Sequence, residues 1–316
     1  MYLKQSFSLA LLALLFTASA AEPAIAASCC AGGGGQSICV LPAEQHYQVG
    51  LSNTYRSIKG EFDPYGNYTS YPSGTSSQQI ISVLGGAYRV NDDWQLGVSI
   101  PFTRTEQSTP SSSHQATAMG DPAIEGRYLL LEDLAFLKYR PQLNLYAGAR
   151  FPLGTSVYNT TDPYALDAVG DGTTTFHIGA NASKLYRPFK VTLDGTFFYP
   201  LSHNVDQMHG QAVASPYQLK LGNRFQMAES AAYLFNERWS SSVGFRQLWI
   251  LQSTIDGKPS DGSAQRLFTS LASVNYSLDN SWALGFTYET AFPFYKYQAN
   301  QAYAQSVAMA ITYGGI

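Results

Sequence analysis

From residue 45 onward apolar and polar side chains alternate in runs, and each run ends in a turn or a polar loop. The clearest case is residues 87–102, A-Y-R-V-N-D-D-W-Q-L-G-V-S-I-P-F. Trp94, Leu96, Val98, Ile100 and Phe102 share one face, while Gln95, Gly97 and Ser99 share the other. A period of two marks a strand with two unlike faces. The polar Asn91-Asp92-Asp93 between two such runs marks a hairpin turn. The device returns at residues 232–239, which end in N-E-R-W, and at residues 274–286, which contain D-N-S-W.

The same alternation predicts further strands over residues 45–59, 78–90, 120–131, 142–151, 173–184, 190–201, 217–235, 239–251, 265–278, 282–292 and 303–313. In the 217–235 run the phase falters near residues 228–231, where a β-bulge would restore it. With residues 94–102 the total is about twelve strands, an even number, with short turns and long loops in strict alternation. One face of nearly every strand is apolar with aromatic ends, and the other is small or polar.

In lipid, free backbone N–H and C=O groups find no partner, so such strands must close on themselves. A soluble β-sandwich also alternates, but it rarely needs aromatic residues at both ends of its strands. The predicted fold is therefore all-β: a transmembrane antiparallel β-barrel of about twelve strands with short periplasmic turns and long extracellular loops. Trp94, Trp239 and Trp282 each follow a short turn and are expected to form an aromatic girdle at the periplasmic headgroup level.

Composition agrees. Charged residues make up 13% of the 316, against 27 Gly, 22 Tyr and 17 Phe, where soluble domains carry about 25% charged residues. The mean hydropathy of −0.13 is no objection, because a barrel spends alternate residues on a polar lumen. With 19 Lys+Arg against 22 Asp+Glu the chain has no basic footprint for nucleic acid.

Three segments are expected: a signal peptide over 1–26, a Cys/Gly-rich periplasmic leader over 27–44, and an outer-membrane barrel over 45–316. Lys4, the apolar run of residues 9–16 and the small residues that follow carry the first assignment, and the run is too short to span a membrane. Cys29, Cys30 and Cys39 all lie in the leader. They are candidates for a disulfide in an oxidising compartment or for a soft-metal contact, although no C-x-x-C motif is present.

Strand parity turns Arg56, Arg89, Arg127, Arg150, Lys190, Lys220, Arg224 and Arg246 inward, against Glu125, Asp194 and Glu289. The lumen is thus expected to be more basic than acidic, which favours anions, unless the charges pair internally and plug it. Gln95, Gly97 and Ser99 are expected to widen it. The histidines, His46, His114, His177, His203 and His209, stand in no motif of an enzymatic barrel, and no cofactor is expected. Neither is catalysis, because convergent groups are not displayed.

The Gly120-Asp121 pair leading into Glu125-Gly126-Arg127-Tyr128, the short-turn-plus-Trp hairpins, and Phe151-Pro-Leu-Gly154 resemble Gram-negative outer-membrane barrels of the aromatic-degradation (phenol meta-pathway) transporter-like family. The resemblance spreads over residues 45–313 and implies uptake of small aromatic or hydrophobic solutes. The expected function is passive passage of small solutes, anionic or aromatic, through an outer membrane. The rival reading is a closed barrel that anchors a periplasmic redox or metal partner through the cysteine leader.

Overall fold

In chain order the strands are β1 (Tyr47–Phe62), β2 (Tyr68–Ser70), β3 (Ser76–Arg89), β4 (Trp94–Thr109), β5 (Ser112–Met119), β6 (Ala123–Leu131), β7 (Gln142–Arg150), β8 (Thr175–Tyr186) and β9 (Phe189–Pro200). There follow β10 (His203–Met208), β11 (Gln211–Lys220), β12 (Arg224–Leu234), β13 (Trp239–Ile250), β14 (Thr254–Ile255), β15 (Lys258–Pro259), β16 (Gln265–Ser277), β17 (Trp282–Ala291) and β18 (Gln301–Gly315). The structure, a computed structural model, describes residue 41 and residues 45–133, 139–208, 211–291 and 297–315. The expected signal peptide and, apart from Leu41, the expected leader with its cysteines Cys29, Cys30 and Cys39 lie outside the described residues.

Twelve strands close a ring: β1, β3, β4, β6, β7, β8, β9, β12, β13, β16, β17 and β18. Each pairs antiparallel with the next, and β18 returns to β1 from Tyr47 opposite Gly315 to Phe62 opposite Gln301. Closure leaves the wall without an edge, as strands in lipid require. Outward positions are apolar and exposed (Val49, Leu51, Leu84, Leu96, Val98, Leu193 and Phe286 among them), while the buried inward positions are largely polar. That inversion of a soluble core places the apolar belt on the outside.

Five connections and the ends of the strand ring, Tyr47 and Gly315, lie at one end of the barrel, all of them tight turns except residues 132–141, and six connections, longer with the exception of residues 292–300, lie at the other. At the long-loop end β5 extends the β4 hairpin beyond the wall, and β10, β11, β14 and β15 form a separate four-stranded sheet.

The predicted 217–235 strand is two elements. Residues up to Lys220 belong to β11 in the crown sheet, and the barrel strand β12 begins at Arg224. A crown strand and a membrane strand share a period of two, so alternation cannot mark the break. Gly222 does mark it: a Cβ there would meet the Leu251 carbonyl oxygen at 1.7 Å. The expected bulge near 228–231 is replaced by an unbroken register from Arg224 opposite Phe198 to Tyr233 opposite Phe189. The alternation falters in the sequence because an outward position holds Glu229. Register shifts occur instead at Ile58/Gly60 and Leu129/Leu131.

Candidate functional site

The lumen is asymmetric. Along β6, β7, β8 and β9 the inward side chains form one hydrogen-bonded layer against the wall. Arg127 Nε donates to Glu125 Oε1 at 2.7 Å, and His177 Nε2 lies 3.0 Å from Glu125 Oε2. The Arg127 guanidinium sits 4.7 Å over the Tyr146 ring. The Tyr146 hydroxyl reaches Asp194 Oδ1 at 2.9 Å and Thr196 Oγ1 at 2.6 Å, and Asn181 donates to Asp194 Oδ2 at 3.3 Å. The ring lies flat because Gly179 is beneath it, where a Cβ would stand 2.4 Å from its Cζ. Each buried charge in the layer has a partner, the condition under which burial is tolerated.

The remaining strands, with Ala123, Arg150 and Phe198 at the long-loop ends of β6, β7 and β9, line a cavity of about 700 Å³. Its β18 wall includes Ala302, Ala304, Ser306, Ala308, Ala310 and Thr312, and the adjoining β1, β3 and β4 add Gly50, Ser52, Gly85 and Ser99. Small side chains leave the space that the opposite layer fills. Four arginines project into it, Arg56, Arg150, Arg224 and Arg246, together with Asp121, Asp171 and Glu289, and Ile81, Val83, Leu248, Ile250 and Leu267 supply apolar surface. Arg246 pairs with Glu289, and Arg56 Nη1 lies 3.5 Å from Gln79 Oε1.

At the long-loop end, residues 151–174 fold into the mouth, where Ala168, Val169 and Asp171 join the lining. The anchor is Asp121, 6% exposed. Its Oδ1 accepts the Gly154 amide at 3.0 Å and its Oδ2 the Asp171 amide at 2.7 Å. Burial pushes the Asp121 carboxyl above the usual range, with the two amides opposing. Gly120-Asp121 and Phe151-Pro-Leu-Gly154 are therefore one structural unit, which Phe151 N donating to Pro122 O at 2.9 Å completes. Asp171 in turn bridges Arg224 Nη2 at 2.7 Å and Arg150 Nη1 at 3.5 Å.

At the turn end, Leu41 is 3% exposed inside the mouth. Its amide donates to Gln95 Oε1 at 3.0 Å, and Arg89 Nη2 donates to its carbonyl at 3.2 Å. Gln95 was expected to widen the lumen; it grips the chain that enters the barrel instead. Nothing in the local alternation of residues 87–102 carries that contact, since its partner is 54 residues away.

Of the residues singled out in the sequence, Arg56, Arg150, Arg224, Arg246 and Glu289 face the cavity. Glu125, Arg127 and Asp194 belong to the wall layer. Lys190 faces inward on β9, near its turn end. Lys220 does not face the lumen: it stands on β11, with Nζ 3.2 Å from the Tyr199 hydroxyl and 4.3 Å over that ring. Trp94, Trp239 and Trp282 point outward at the turn end, at 47%, 44% and 41% exposure. Asp171 and Leu41 carry no signal in the sequence, Asp121 is noted only through the Gly120-Asp121 pair, and Gln95 is read as inward but not as a holder of Leu41.

A closed ring with an apolar exterior and a polar, partly open interior defines a transmembrane β-barrel of the outer-membrane type. Among solved structures, an outer membrane channel from Pseudomonas putida F1 matches with a TM-score of 0.70 at 14% identity, over 87% of this chain and 97% of that one. The NanC porin (TM-score 0.47, 8% identity, 84% and 98% coverage) and the CymD monoaromatic hydrocarbon channel (TM-score 0.42, 10% identity, 86% and 89% coverage) are looser likenesses. No family model and no curated protein matches the sequence. The likeness to Gram-negative outer-membrane barrels thus holds at the level of the fold.

Proposed function

We propose that this chain is an outer-membrane channel for passive passage of small solutes, favouring those that join an apolar or aromatic body to a negative charge. The observation that carries the reading is the cavity lining. Four arginines face three carboxylates, and an apolar stripe of Leu248, Ile250 and Leu267 runs beside them. Arg150 and Arg224 share the Asp171 carboxylate, and over the whole lining the guanidinium groups outnumber the carboxylates by one. Fixed cations along a pore favour anions, and the stripe offers an apolar body a surface. Small lining residues on β18 leave its path clear.

The test is reconstitution of the full chain. In a planar bilayer under a salt gradient the reversal potential should indicate anion preference, and liposomes should swell faster in benzoate than in choline or arabinose solutions. Cation preference, or no solute-dependent current, would overturn the reading. The seat of Leu41 favours a second reading, a closed barrel whose N-terminal segment meets a periplasmic partner. That reading requires the wild-type barrel to pass no current and a periplasmic protein to co-purify with it.

A further inference from the structure

Glu229 points outward. It occupies the centre of β12, five residues from either end, and its side chain is exposed on the apolar face. Its neighbours in register are Leu193 on β9 and Phe245 on β13. Along its own strand face the aromatic ends are Phe225 and Tyr233, each about 13 Å away at strand rise. Phe225 stacks on Trp249 and Tyr233 meets Phe189 edge to face, so both ends of this wall carry aromatic anchors and Glu229 lies midway between them. The apolar core of a membrane offers no partner to a carboxyl group, and an ionisable residue at that depth calls for one.

The surroundings are unlike the rest of the belt. Gln247, diagonal to Glu229 across the β12–β13 pair, also faces outward. Among the described residues neither side chain finds a hydrogen-bond partner. Gly195 on β9 lies opposite Met227, and a Cβ built there would touch nothing within 4 Å. Gly195 and Ala231 are the small positions of this face, beside the larger Leu193, Met227 and Phe245. By contrast Asn53 and Ser82, outward on β1 and β3, satisfy each other at 2.6 Å.

We infer that the β9–β12–β13 face is the contact surface of a homodimer in the membrane, in which Glu229 and Gln247 meet their counterparts across a two-fold axis along the membrane normal. Two arguments select a second copy of this chain. A carboxyl oxygen accepts and a primary amide donates, so Glu229 of each copy can pair with Gln247 of the other, the reciprocal match that an isologous interface requires. The aromatic anchors also set the depth at which the barrel floats. Two copies therefore present Glu229 at the same level, a match that an unrelated barrel would meet only by coincidence. Small residues permit close approach of the two walls, as they do between membrane helices.

The experiment places a benzophenone side chain at Val243, outward and 63% exposed beside Ala231, or at Val98 on the opposite wall, 49% exposed. The full chain is expressed in outer membranes and irradiated. A cross-linked dimer at Val243 and none at Val98 is the expected result. Glu229→Gln should keep it, whereas Glu229→Leu should reduce it about tenfold, equivalent to about 1.4 kcal/mol. Heat-modifiable migration on a gel verifies that each variant is folded. No dimer at Val243, equal dimer at both positions, an adduct with another protein, a dimer unaffected by Glu229→Leu, or equal losses with Gln and Leu would each overturn the inference.

Discussion

Asn91 Oδ1 accepts the Trp94 amide at 2.8 Å and, in the same turn, the Asp93 amide at 3.0 Å. Asn236 does the same for Trp239 and Arg238, and Asp279 for Trp282 and Ser281. In all three hairpins the Trp carbonyl then accepts the amide of the residue before the Asn or Asp. The side chain of the first turn residue thus replaces the backbone partner that the turn lacks, and the tryptophan is the first residue of the strand it releases. Replacing Asn91 with Ala removes both bonds, at roughly 1 kcal/mol each. Asn91→Asp should stay close to wild type, since Asp279 already fills this role. Urea unfolding of the detergent-folded barrel, followed by tryptophan fluorescence, reads both.

The Asp279 turn brings a pH dependence. The Trp282 amide first, then that of Ser281, hold its carboxyl below the usual range. A carboxyl lowered by folding contributes stability above its ordinary pKa of about 3.9 and loses it as pH falls through the folded value. The urea midpoint of the wild type should therefore fall between pH 7 and pH 3 by more than that of Asp279→Asn. Equal falls would deny the turn its contribution.

Glu125 is the acid of the wall layer. Glu125→Ala leaves the Arg127 guanidinium, 5% exposed in its side chain, without its counter-charge, a loss of about 3–5 kcal/mol for a buried pair. Glu125→Gln keeps an acceptor and should lose less. The temperature at which each variant loses its folded-gel mobility ranks them.

Asp171 neutralises two arginines at the mouth. Asp171→Asn should strengthen anion preference and Arg224→Gln should weaken it, with reversal potentials moving in opposite directions in one salt gradient. Shifts of the same sign would place the selective step elsewhere in the lumen.

Arg89 holds the Leu41 carbonyl and, through Nε at 3.0 Å, that of Gln45. If this grip narrows the turn-end mouth, Arg89→Ala should raise single-channel conductance. Unchanged conductance would mean that the entering chain stands clear of the path.

The fold was written in local pattern, because each strand declares its two faces within about ten residues. Residues 87–102 are sufficient to name the turn, the outward tryptophan and the inward Gln95. What local pattern does not carry is a meeting of distant residues. Asp121 reaches Gly154 and Asp171 across 33 and 50 positions, and Gln95 reaches back to Leu41. Lys220 shows the converse failure: its parity was sound, yet its strand lies in the crown. Glu229 resembled a phasing error because an alternation rule has no place for a carboxylate in the belt, although the register places it there.

The longest-range contact of all is the seam between β1 and β18. Because Tyr47 pairs with Gly315, nearly the whole chain is looped out between the two strands that finish the wall. Loop-closure entropy rises only slowly with length, but contacts this distant in sequence make folding slow. Until β18 is in place, the nascent sheet exposes two raw edges, each a template for aggregation. Loss of the β18 segment would therefore yield a chain that aggregates rather than a smaller pore.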